Sequence, residues 1–147
     1  MASFVYTGAK EQIAQGGIDF REAGDDIRIA LVMSNTTADT EQDALLMDEF
    51  ATLDEYDGAN YVRKALATQT VTRDDPNNRA EFDAIDVVWT ALGVGTRQCV
   101  GMIVYKHVTN DADSIPIAYI DTGGFPFDGN GGDVTIQWNA EGILQIT

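Results

Sequence analysis

The chain has 147 residues, of which 44 % are apolar and 22 % charged, a globular composition long enough to bury one core without disulfide or metal staples. Its 24 acidic side chains outnumber 9 basic ones for a formal net charge of −15, a field that repels phosphate backbones and argues against a nucleic-acid partner. Cys99 is the single cysteine, so no intrachain disulfide supports the fold.

No basic-then-apolar leader opens the chain, and no apolar run approaches the ~20 residues of a membrane span. The expectation is a protein made and folded in the cytoplasm, without a membrane partner. In chain order, Thr7 is a candidate N-cap, Tyr6, Ala9, Ile13 and Ala14 recur at helical spacing, and Gly16-Gly17 is a stop, which predicts a short helix over 6–15 lying against a sheet. Ile27, Ile29, Leu31 and Met33 then alternate with Arg28, Ala30 and Val32, a period of two that predicts a well-buried strand over 26–34.

Thr40 with Asp43 resembles a capping arrangement, and Leu46, Phe50 and Leu53 follow at i, i+4 and i+7, so a second short helix is expected over 40–53. Asp54-Glu-Tyr-Asp-Gly58 is a turn with three carboxylates, read as solvated in preference to cation-binding. From residue 60 the pattern becomes strand and turn, with segments at 61–68, 70–73, 79–83, 86–92, 97–108, 115–121, 133–139 and 142–147. The run 97–108 is the most continuously apolar and is expected to be central and buried on both faces. Cys99 lies within it and reads as a small packing residue rather than a reactive thiol. The last two segments are expected to form a hairpin about Asn139-Ala-Glu-Gly142, with Val134, Ile136 and Trp138 facing inward and Thr135 and Gln137 outward. The resulting fold class is mainly β: one domain over 1–147, an antiparallel β-sandwich or barrel of about eight strands with one or two short N-terminal helices.

Chemical motifs are sparse. Gly93-Val-Gly-Thr96 has too few glycines and no following helix for a phosphate loop, so no cofactor is implied. His107 has no second histidine or nearby cysteine to complete a zinc set. Ser3, Ser34 and Ser114 lie outside any nucleophile-elbow context, and chance carboxylate pairs carry no glycosidase signal without a known separation. The chain reads as a non-enzyme. In Asp128-Gly-Asn-Gly-Gly-Asp133, the oxygens of Asp128, Asn130 and Asp133 are spaced like the start of a calcium loop, yet Asn139 stands where its twelfth-position Glu belongs. A glycine-built tight turn is the favoured reading, and the question of a cation there stays open.

The segments Asp48-Glu-Phe-Ala-Thr-Leu-Asp-Glu-Tyr-Asp-Gly58, Val104-Tyr-Lys-His-Val-Thr-Asn-Asp-Ala-Asp-Ser114, Ile117-Ala-Tyr-Ile-Asp121 and Gly131-Gly-Asp-Val-Thr-Ile-Gln-Trp-Asn139 resemble a family of small structural proteins of tailed bacteriophages. The opening plan, a short helix followed by Gly-Gly-Ile-Asp and the strand D-x-I-x-I-A-L-V, is similar too. The resemblance implies a virion component without a catalytic motif. Within the virion, the expectation is a capsid decoration (cement) protein on the outer shell, bridging major capsid protein subunits, with a homo-oligomer, a trimer, as the guessed assembly. Tyr56, Phe125 and Phe127 are the candidate partner contacts. The alternative is a tail, baseplate or fibre-associated domain whose aromatic loops touch host-surface glycans.

Overall fold

The computed structural model describes residues 3–147. Their elements follow in the order β1 (Phe4–Val5), α1 (Thr7–Gln15), β2 (Asp26–Met33), β3 (Lys64–Ala65), β4 (Thr70–Asp74), β5 (Arg79–Asp83), β6 (Val87–Trp89), β7 (Cys99–His107), β8 (Ile115–Ile120), β9 (Val134–Ile136) and β10 (Leu144–Ile146), with one 3₁₀ turn at Met47–Glu49 between β2 and β3.

The two longest apolar strands of the sequence become the middle of the molecule. β2 and β7 pair antiparallel from Asp26↔His107 to Met33↔Cys99, inside a five-stranded sheet of order β1-β8-β7-β2-β3. Directly paired residues share a face. One face therefore carries Ile29, Val104 and Ala118, and the other carries Ala30, Ile103 and Tyr119. All six are buried, which is why neither strand shows a polar face in its sequence. Each large side chain taken out of water here contributes about 1.5–3 kcal/mol.

On the Tyr119 face a chain of rings closes the layer: Phe4 stacks on Tyr119, Tyr6 meets Phe4 edge-on, and Phe50 tilts against Tyr6. The Tyr6 hydroxyl donates to the Ala38 carbonyl at 2.7 Å, so the 34–55 excursion is pinned over this face. α1 packs along β8. It ends where Gly16 takes φ 75°, its amide returning to Gln12 and Ile13, as a glycine stop should. The remaining strands form a three-stranded sheet, β10-β5-β4, and a two-stranded one, β6-β9. All pairings are antiparallel, and their buried side chains join one core cluster. The fold is mainly β and sandwich-like, as expected, with ten strands among the described residues. Every sheet is open, so the barrel alternative falls away.

Three local expectations are corrected. Thr7 is the first helical residue, not the cap; Tyr6 holds that position without a side-chain cap bond. The second helix is absent and only the Met47–Glu49 turn forms. Side chains there satisfy the backbone in ways a helix does not: Glu41 accepts the Ala51 amide, Thr37 Oγ1 accepts the Thr52 amide, and Glu49 accepts the Leu45 and Leu46 amides. Phe50 is nonetheless buried; the i, i+4 spacing reported burial, not a helix. The final hairpin is likewise absent. β9 pairs with β6 and β10 with β5, so the two segments joined at Asn139-Ala-Glu-Gly142 separate into different sheets.

Gly101 sits on β7 where a Cβ would lie 2.5 Å from the Tyr119 hydroxyl and 3.0 Å from the Ile120 carbonyl. Tyr119 is buried and cannot yield. Gly101→Ala is expected to destabilise the protein by about 1–3 kcal/mol, read from the denaturant midpoint at unchanged m.

Candidate functional site

Of the three sequence-nominated contact residues, Tyr56 is not at the surface. Its side chain is 2 % exposed; its hydroxyl donates to the Gly93 carbonyl at 2.8 Å and accepts the Gly129 amide at 3.1 Å. Glycines surround the ring because nothing larger fits. A Cβ would lie 2.6 Å from its Cε1 at Gly58, 2.7 Å from its Cε2 at Gly95 and 2.6 Å from its hydroxyl at Gly129. Tyr56 is thus a structural rivet joining three loops, and its candidacy as a partner contact is withdrawn. Gly93-Val-Gly-Thr96 owes its glycines to the same packing, since the Gly93 amide is bonded to the Ala59 carbonyl and its carbonyl to Tyr56.

Phe125 and Phe127 flank the exposed Pro126 on the 121–133 loop, across a cis Phe125–Pro126 bond. Phe127 is tied in. It exchanges two 2.9 Å backbone hydrogen bonds with Cys99, and its ring leans on Tyr56 at 6.3 Å and on Phe125 at 5.6 Å. Both phenylalanines are half-buried. Phe125, farther from the rivet, keeps the better claim to an outside contact.

The three oxygen donors of the glycine-rich loop face separate tasks. Asn130 Oδ1 accepts the Gly132 amide at 2.9 Å, Asp133 Oδ1 accepts the Ala91 amide at 2.9 Å, and Asp128 takes a long 3.4 Å bond from Gln98. Gly123, Gly124 and Gly131 adopt φ of 76°, 120° and 84°, values that favour glycine. Among the described residues no group of three or more His, Cys, Asp or Glu is arranged to hold a metal ion. Cys99 is fully buried, and burial pushes its thiol up to about 12, so it is no nucleophile at neutral pH. His107 packs edge-on to Tyr105, with Nδ1 buried and unpartnered.

The carboxylates of the 54–58 turn are not merely solvated. Asp54 is gripped by the Arg97 guanidinium and accepts the Asn35 amide, Asp57 accepts both the amide and the hydroxyl of Thr96, and Glu55 binds Arg63. Arg63 is the hub that sequence reading missed. Its guanidinium makes paired bonds of 2.8 Å to Glu55, bonds of 2.5 and 2.9 Å to Asp111, and lies 5.3 Å over the Tyr105 ring. Glu55 also accepts the Tyr61 hydroxyl, which in turn accepts the Leu31 amide, and Tyr61 stacks on the buried Trp89. No local signal marks such a hub, because its parts lie 8 and 48 residues away in the chain.

A crevice between β8, β9 and the turn after β9 was not foreseen either. It is floored by Met102 and Ile136, walled by Phe125 and Trp138, and has a volume of about 420 Å³. No family model, no curated protein and no solved structure matches the chain.

Two outcomes follow from these geometries. Tyr56→Phe leaves the Gly93 carbonyl and Gly129 amide without their partner and should lower stability by about 1–3 kcal/mol in chemical denaturation. Hydrogen bonds from Arg97 and Arg63 hold the Asp54 and Asp111 carboxyls below their ordinary value. With a folded value below the unfolded one of about 3.9, each contributes stability that is complete above that pH and lost as pH falls through the folded value. Arg63→Gln should therefore be less stable than the parent at pH 7, by about 1–3 kcal/mol for these partly exposed partners. The gap should narrow as the pH of both proteins is lowered through and below the ordinary carboxylate range, in thermal melts of the two proteins.

Proposed function

We propose that this chain is a structural component of a tailed-bacteriophage virion, a capsid decoration protein that binds the outer shell and bridges major capsid protein subunits. The resemblance of its segments to small phage structural proteins supports the virion part of this reading. The disposition of charge supports the outer-surface part, and it is the observation that carries the proposal. Arg21, Arg28, Arg63, Arg73, Arg79, Arg97 and Lys106 are each engaged in an ion pair with a carboxylate of the same chain. Lys10 and Lys64 alone among the nine basic side chains make no ion pair among the described residues. The outside field is thus set by unneutralised carboxylates, which suits a protein facing away from packaged DNA and docking onto a shell surface of opposite sign.

The mechanism is mechanical. A rigid, mainly β body repeated over a lattice resists internal pressure through many modest contacts, so the affinity of each site need not be high. Assembly as a trimer around local symmetry axes multiplies those contacts further. Phe125 is the aromatic side chain nominated to meet the shell.

Virions separated on a quantitative gel should contain the protein at on the order of hundreds of copies per particle, the number a lattice requires. Purified protein should rebind expanded capsids lacking it, more weakly as salt is raised. A handful of copies confined to the tail vertex would overturn the decoration assignment.

A further inference from the structure

The crevice beside β9 differs from the rest of the surface in one respect: it is uncharged. None of the twelve described residues that line it carries an ionisable side chain, in a chain where 22 % of residues are charged. Its floor, Met102 and Ile136, is buried. Its walls are the aromatic rings of Phe125 and Trp138. The indole is held by its Nε1, which donates to the Ile85 carbonyl at 3.0 Å, and the main chain of Trp138 by its amide, which donates to Asp86 Oδ1 at 3.1 Å. At the rim stand two amides, Gln137 and Asn139. Asn139 Oδ1 accepts the Glu141 amide, and among the described residues neither its NH₂ group nor the exposed Gln137 side chain has a hydrogen-bond partner.

These features select a ligand class. Anions are repelled by a net charge of −15, and a cation would find no carboxylate in the lining. What fits is a neutral molecule with an apolar face for the rings and hydroxyls for the amides. The volume of about 420 Å³ lies within the roughly 300–1,000 Å³ of small-molecule sites. A shallower cleft of about 320 Å³ continues from it past Asn139 and Gly142 toward β1 and β10, giving room for a chain of sugars. We infer that the crevice is a binding site for a neutral saccharide, with Trp138 and Phe125 as its platform and Gln137 and Asn139 as its hydrogen-bonding rim. The fixed indole makes the platform preorganised, so little ordering cost opposes binding. This inference does not rest on the decoration reading, since a sugar site can belong to a virion protein at any station.

The test is a ¹⁵N NMR titration of the whole protein with glucose, galactose, mannose and N-acetylglucosamine, and separately with glucuronate and sialic acid. At least one neutral sugar should shift the Trp138 indole and Gln137 side-chain signals saturably, with a dissociation constant in the ~mM range, while the acidic sugars leave them in place. Gln137→Ala, which removes no hydrogen bond among the described residues, should weaken that binding about fivefold at an unchanged melting temperature. Absence of any neutral-sugar response at Trp138, shifts confined to other surfaces, or an equal response to acidic sugars would overturn the assignment. So would movement of the same signals on dilution without sugar, which would give the crevice to a second copy of the chain. Capsid rebinding is measured independently, so failure of either reading leaves the other standing.

Discussion

One guanidinium holds the open edge of the central sheet. Arg63 immediately precedes β3, the edge strand beside β2, and reaches Glu55 in the 54–58 turn and Asp111 in the connection between β7 and β8. Two neighbouring segments and a third 48 residues on are thereby drawn onto the end of one sheet. In a chain with this surplus of negative charge, bringing two carboxylates together is unfavourable unless a cation stands between them. Both acids are in hydrogen-bonding contact with the same guanidinium, whose planar fork serves two carboxylates at once where an ammonium could not. The Tyr105 ring beneath it and the Tyr61 hydroxyl beside it extend the network into the core. The same logic recurs with Arg79 among Asp74, Glu81 and Glu141 on the three-stranded sheet. Scarce cations are spent where the topology crowds acids.

What the sequence made legible follows from how local each cause is. β2 and β7 were readable because alternation and apolar continuity are properties of the strand itself, and their burial on both faces follows directly. The stop at Gly16 was readable for the same reason. The 40–53 segment was not, because its periodic apolar residues are buried by an irregular chain whose threonines and glutamates bond its own backbone. Nor was the partnering of the last two strands: adjacency and a turn favour a hairpin, and only the competing edges of β5 and β6 decide otherwise. Tyr56 shows the limit most plainly. An aromatic residue among acids and a glycine resembles an exposed anchor, and nothing within the 54–58 turn reveals the glycines at 95 and 129 that enclose it.

The glycine-rich loop gains a different meaning once Tyr56 is placed. Its residues serve two masters. Gly129 lets the backbone approach the tyrosine hydroxyl, and Asn130 and Asp133 bond the loop and the neighbouring 91–93 turn. These contacts fix the far end of the loop, while Phe127 is clamped to Cys99. Phe125 is consequently presented from a scaffold held on one side, half-buried and next to Trp138 across the crevice. A ring presented in this way suits either a neighbouring protein or a sugar, since both reward a rigid aromatic surface.

Charge separates the two roles. An acidic exterior acts over a Debye length, orienting the whole protein toward a basic surface and weakening with salt. A neutral crevice acts only on contact, through stacking and amide hydrogen bonds that salt scarcely screens. On the proposed reading, a decoration protein built this way would hold its place by long-range electrostatics summed over many copies, and would keep an uncharged recess available for a ligand that the field neither attracts nor repels. The two proposed roles can share Phe125 only in turn, not at once: a ring pressed into a capsid subunit cannot also form the wall of a sugar site. With Phe125 as the shell contact, the crevice is therefore open to a sugar only while the protein is off the shell.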